Sequence, residues 1–122
     1  MTVPLYQAKA EFLRTLGHPA RIRVLELLSE RPYAVHELLA EIDIEASNLS
    51  QQLAVLRRAG LVTQTRVGSE VVYSIRVPAV RDLLVAARTI LLSIILEQDT
   101  LKAELSADGP VEAPARRRHA QR

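Results

Sequence analysis

The chain has 122 residues, 48% hydrophobic and 25% charged, a balance that suits one soluble domain with an ample core. The net charge of +2 is unevenly placed: from Pro110 onward four arginines face Glu112 alone, so the body is slightly acidic and any affinity for a polyanion must come from local placement. The absence of cysteine excludes disulfides, thiolate metal ligands and thiol redox chemistry, and an aromatic content of 3% argues against binding single strands by ring stacking.

Pro4 suits a first helical turn. Beyond it Leu5, Ala8, Phe12, Leu13 and Leu16 recur at helical spacing and predict a first helix that Gly17 breaks. Pro19 opens a second helix, whose broad apolar face holds Ile22, Leu25 and Leu28, joined by Ala20, Val24 and Leu27. A third is expected over about residues 35–42, with Leu38, Leu39 and Ile42 inward. Asp43, Ile44 and Glu45 make a short turn before a fourth helix begins at Ala46. Two helices joined by so short a turn form a helix-turn-helix.

The fourth helix, within residues 46–61, carries the most information. At about 100° per residue, Leu49, Leu53 and Leu56 fall in one narrow apolar seam. Ser47, Gln51, Ala54 and Arg58 project from the opposite face, flanked by Ser50 and Arg57 on one side and Asn48 on the other. The first two turns hold no acid and no lysine. Hydroxyls and amides both donate and accept, as base edges and phosphate oxygens require, and a small Ala54 lets the helix axis approach a flat partner. Arg57 and Arg58 suit the negative end of the helix dipole and can reach a phosphate, and Gly60 then stops the helix. The pattern is that of a DNA recognition helix; the alternative is an ordinary surface helix with a polar face.

After Gly60 the periodicity changes. Residues 61–67 and 71–77 are rich in β-branched residues and flank a turn at Gly68, Ser69 and Glu70, which predicts a hairpin. Placed directly after a recognition helix, it can lie along a DNA backbone and offer Arg66 or Ser69 to phosphate or minor groove. His36, near the start of the third helix, is a further phosphate candidate. The expected fold is mainly α with a small β-hairpin wing, a winged helix-turn-helix in the order α-α-α-α-β-β-α.

Pro78 opens the last helix, expected over about residues 79–105. Its stretch from Ile90 to Leu96 is apolar almost all the way round, and Val80, Leu83, Leu84, Ala87 and Leu101 extend it. Such a helix must be buried on every side. Seven residues are too few to span a bilayer, so the partner is a second copy. A homodimer is expected through this helix and the first, using Leu5, Leu83, Ala87, Ile90, Leu91, Ile94, Ile95 and Leu101. Residues 1–105 then form one DNA-binding and dimerisation domain. Residues 106–122, rich in small residues and arginine, read as a disordered basic tail. No signal pattern stands at the start and no apolar run of about 18 residues occurs, so a cytoplasmic location is expected.

Two segments, FLRTLGHPARIRVLELL at residues 12–28 and SNLSQQLAVLRRAGLV at residues 47–62, together resemble the ArsR/SmtB family of bacterial winged-helix transcription regulators. The resemblance spans about residues 4–101. It implies a homodimer on a pseudo-palindromic operator, usually a repressor relieved by a metal ion or another signal. It places Ser47, Asn48, Ser50, Gln51 and Gln52 toward DNA, with Arg66 and Ser69 on the wing. The chain departs from the family in its sensing residues. It has no third-helix cysteines, and its last helix holds Glu97, Asp99 and Glu104 but no histidine. Glu97 and Asp99 lie about 200° apart on a helix, and Glu97 and Glu104 are two turns apart, so neither pair can chelate one ion within a copy. His18 reads as a structural cap or a buried hydrogen bonder and not as a ligand, and His119 lies in the tail. A metal such as nickel or zinc would need His and carboxylates gathered across a dimer. The rival reading is a winged helix that binds protein without DNA affinity. An enzyme is disfavoured: no nucleophile–base set or paired carboxylates stand out, and four glycines leave little room for a phosphate loop.

Overall fold

Local chemistry sets the helix boundaries in the computed structural model, which describes residues 2–107. Helix α1 (Leu5–Leu16) starts after Pro4 and ends at Gly17, whose N–H donates to the Arg14 carbonyl at 3.1 Å. His18 then caps α2 (Pro19–Glu30): its Nδ1 accepts from the Ala20 N–H at 3.2 Å, and Pro19 occupies the first helical position. At α3 (Val35–Glu41) the carboxylate of Glu37 reaches back to the Ala34 N–H at 2.8 Å, satisfying a donor the helix itself cannot. Helix α4 (Ala46–Arg58) closes in a Schellman arrangement. Leu61 N–H donates to Leu56 O and Gly60 N–H to Arg57 O, each at 3.0 Å, with Gly60 at a φ of +80°.

The periodicity of α2 and α4 is realised as a shared core. Val24, Leu25, Leu27 and Leu28 of α2 pack with Leu49, Leu53 and Leu56 of α4, and Leu38 of α3 closes one side. Tyr33, Val62 and Tyr73 contribute from the sheet. Burial of this many aliphatic side chains, at roughly 1.5–3 kcal/mol each, fixes how α4 is rotated and therefore which of its residues face outward.

The sheet has three antiparallel strands, not two. Besides β2 (Val62–Val67) and β3 (Glu70–Ile75), a two-residue β1 (Tyr33–Ala34) pairs with β3 through Tyr33–Tyr73 and Ala34–Val72, giving the order β1-β3-β2. A strand this short leaves no alternation to read. The hairpin turn is also tighter than expected: Glu70 pairs with Val67, so only Gly68, at a φ of +64°, and Ser69 lie between the strands. Helix α5 (Ala79–Ala107) runs two residues past its expected end, so Ser106 and Ala107 are helical. The rest of the expected basic tail, 108–122, lies outside the described residues.

The chain divides into two units, with the boundary inside α5 between Val85 and Ala86. In the first unit Val80 is buried, and Leu83 and Leu84 pack on the core. Of α1 only Leu16 is buried, while Leu5, Tyr6, Phe12 and Leu13 stay exposed. In the second unit the described residues form the remainder of α5. There Ile90, Leu91, Leu92, Ile94, Ile95, Leu96 and Leu101 are exposed. No described helix is long and apolar enough to cross a membrane. The architecture is a winged helix-turn-helix: α3 and α4 form the helix-turn-helix and β2–β3 the wing.

Candidate nucleic-acid interface

With its leucine seam buried, α4 turns Ser47, Ser50, Gln51, Arg57 and Arg58 outward, all exposed. Asn48 and Ala54 sit half-buried at the margins. Among the described residues the side chains of Ser47, Ser50 and Gln51 make no hydrogen bond, so their donors and acceptors face solvent. The first turn holds no acid, and the last turn brings two guanidiniums together. Such a ridge can hydrogen-bond a base edge near its start and neutralise phosphate near its end.

Gln52 is a correction. It was expected to face DNA with its neighbours, but it is only 7% exposed and both ends of its amide are engaged. Its Oε1 accepts from Arg21 Nε at 2.8 Å, and its Nε2 donates to Asn48 Oδ1 at 2.8 Å. The physical reason lies in the spacing. Gln52 follows Leu49 by three residues and precedes Leu56 by four, so it stands on the inward seam. Arg21 is the partner that makes this burial possible. It precedes Leu25 by four and Leu28 by seven, which places its guanidinium on the inner side of α2, and its Nη1 also donates to the Thr15 carbonyl at 2.9 Å. One cation thus ties the end of α1 and the middle of α4 to α2. A second positioning residue, Arg76, follows β3 and donates to the Gly60 carbonyl at 3.0 Å, just past the end of α4.

On the wing, Arg66 and Ser69 are exposed, Arg66 on β2 and Ser69 in the turn. His36 is exposed too, but it is not alone: its Nδ1 lies 3.4 Å from Glu70 Oε2 at the start of β3. The carboxylate gives His36 an alternative to phosphate. Nearby, Arg31 stacks 3.8 Å over the Tyr33 ring and faces Glu37 at 3.4 Å. The Ala34 N–H, and after it Arg31, hold the Glu37 carboxyl below its ordinary pKa. Among the described residues no three of His, Cys, Asp or Glu gather where they could hold an ion.

Comparison with known proteins agrees with this geometry. Residues 18–64 match the family described as "Bacterial regulatory protein, arsR family". The chain is 50% identical over 107 residues to the uncharacterized HTH-type transcriptional regulator Rv0081 of Mycobacterium tuberculosis, covering 87% of this chain and 94% of that protein. The crystal structure of M. tuberculosis Rv0081 superposes with a TM-score of 0.73 at 52% identity, over 80% of this chain and 98% of that one. The crystal structure of the transcriptional repressor BigR from Xylella fastidiosa superposes with a TM-score of 0.62 at 34% identity, over 72% and 87% of the two chains. A fold built to expose a hydroxyl- and amide-bearing helix, and this degree of likeness along nearly its whole described length, place the chain in the ArsR family of bacterial transcriptional regulators.

Proposed function

We propose that the chain is a homodimeric repressor that acts in the cytoplasm on a pseudo-palindromic DNA operator. The observation that carries this reading is the exposed, acid-free ridge of Ser47, Ser50 and Gln51 on α4, held outward by a buried leucine seam and followed by Arg57 and Arg58. Ser50 and Gln51 hydrogen-bond base edges in the major groove, while Arg57, Arg58 and, from the wing, Arg66 supply sequence-independent attraction to phosphate. Repression agrees with the names of relatives, among them a biofilm growth-associated repressor of Agrobacterium fabrum that is 44% identical over 64 residues, 52% of this chain and 55% of that protein.

Exposed apolar surface supports the dimer. Leu5, Phe12 and Leu13 of α1, and Ile90, Leu91, Ile94, Ile95 and Leu101 of α5, are exposed among the described residues. Burying about ten such side chains against a second copy is worth roughly 1.5–3 kcal/mol each, more than the roughly 4–15 kcal/mol that association costs. Two copies then place two recognition helices about 34 Å apart, one turn of B-form DNA. Sedimentation of the purified full chain, alone and with duplexes it retains from fragmented genomic DNA, tests both halves. Two chains per duplex and a footprint of two half-sites one helical turn apart are expected. A monomer in solution, or no saturable DNA binding at low salt, would overturn the proposal.

A further inference from the structure

The buried relay under α4 has a direction, and the direction reaches the DNA-facing side. A guanidinium can only donate. Arg21 Nε donating to Gln52 therefore fixes the Gln52 carbonyl oxygen toward α2 and its NH2 group toward Asn48. That NH2 group can only donate in turn, so Asn48 must present Oδ1 inward to receive it. Each step is set by the one before, starting from a charge that cannot change sign. Gln52 is only 7% exposed, and both ends of its amide are already paired within the protein. What is left for an outside partner is the Asn48 NH2 group, which among the described residues has no acceptor.

We infer that the Arg21–Gln52 pair polarises Asn48 into a hydrogen-bond donor, so that this asparagine selects a keto base edge, guanine O6 or thymine O4, in the major groove. An asparagine free to use both ends of its amide pairs with adenine N6 and N7. Here the oxygen needed to accept from adenine N6 points into the protein, so adenine keeps only the single N7 contact with its N6 amino group unmatched, whereas guanine offers O6 and N7 and thymine O4. Asn48 sits at the flank of the exposed ridge, one residue after Ser47 and three before Gln51, within reach of the groove those residues would enter. Arg21 and Gln52 touch no base; they are positioning residues. The inference rests on the DNA-reading role of α4 proposed above.

Two substitutions reverse the polarity by different routes. Gln52→Glu keeps an acceptor for Arg21 but offers Asn48 only acceptors, so the Asn48 amide turns over and shows its oxygen outward. Asn48→Asp leaves the relay intact, still accepts from Gln52 and shows a carboxylate oxygen outward. The test is selection from a random-sequence duplex pool with the full-length wild type and both variants. Wild type should select guanine or thymine at one position of each half-site. Both variants should select adenine or cytosine at that same position, with the ratio of keto to amino bases changed about tenfold, as expected for one base-edge hydrogen-bond pattern made or broken. If Gln52→Glu does not fold, Asn48→Asp decides the matter alone. An unchanged base at every position, or a loss of affinity equal for all sequences, overturns the inference while leaving the DNA-reading role of α4 standing. A wild-type protein that enriches no sequence overturns both.

Discussion

The roles of individual side chains follow from what each can reach. Arg66 stands exposed on β2, where it can meet phosphate but is not positioned by any hydrogen bond among the described residues. Arg66→Ala should therefore weaken binding to all duplexes alike and reduce the slope of log affinity against log salt by about 1. A change in sequence preference instead would assign Arg66 to base readout. Glu37 has a different duty. Its carboxylate accepts from the Ala34 N–H and faces Arg31, which depresses its pKa in the folded protein. A depressed folded pKa means the stabilisation is present above the unfolded carboxylate value, about 4.3, and is lost as pH falls through the folded value. Glu37→Gln keeps an acceptor for Ala34 but cannot titrate, so its unfolding free energy should fall less steeply than wild type in urea titrations below that pH. Equal steepness would show that other carboxylates govern acid sensitivity.

The elements show how far a sequence can be read. The helices and the hairpin were legible because their apolar residues repeat at 3.6 or 2 over long enough stretches, as Leu49, Leu53 and Leu56 do in α4. The two residues of β1 carry no such repeat, and only the register Tyr33–Tyr73 makes them a strand. Within the candidate site, spacing placed Ser47, Ser50 and Gln51 on the exposed side. Family resemblance assigns Gln52 to the DNA face against its own position on the seam, and the spacing is the better guide. Arg21 carried the same signal: a polar residue at a core position of α2, matched by another at a core position of α4. Two such misfits on neighbouring helices are a sign that they satisfy each other, because neither could be buried alone. The C-terminal stop of α4 gives a further test at this scale. Gly60 has a φ of +80°, and a Cβ there would meet only Arg76 Nη1 at 3.6 Å. Gly60→Ala should cost about 1–2 kcal/mol in chemical denaturation, through backbone strain and not through a clash. No measurable cost would mean that the turn relaxes.

At the scale of the whole molecule, two needs must be met together: a polar ridge turned outward and an apolar surface covered. The first is met within one chain, where the leucine seam and the Arg21 and Arg76 clamps fix α4. Among the described residues the second is not, since Ile94 and Ile95 of α5 are each 46% exposed. Ile94→Glu should turn the sedimenting species into monomers or unfold it, and should weaken binding to a two-half-site duplex far more than to a single half-site. A folded, dimeric Ile94→Glu protein would remove α5 from the interface. The ridge itself is tested most directly by equilibrium binding of the Ser50→Ala, Gln51→Ala double variant to a duplex selected by the wild type and to an unrelated duplex. A loss of at least about tenfold on the selected duplex, with binding to the unrelated one unchanged, is expected if α4 reads bases; an undiminished ratio between the two duplexes would contradict it.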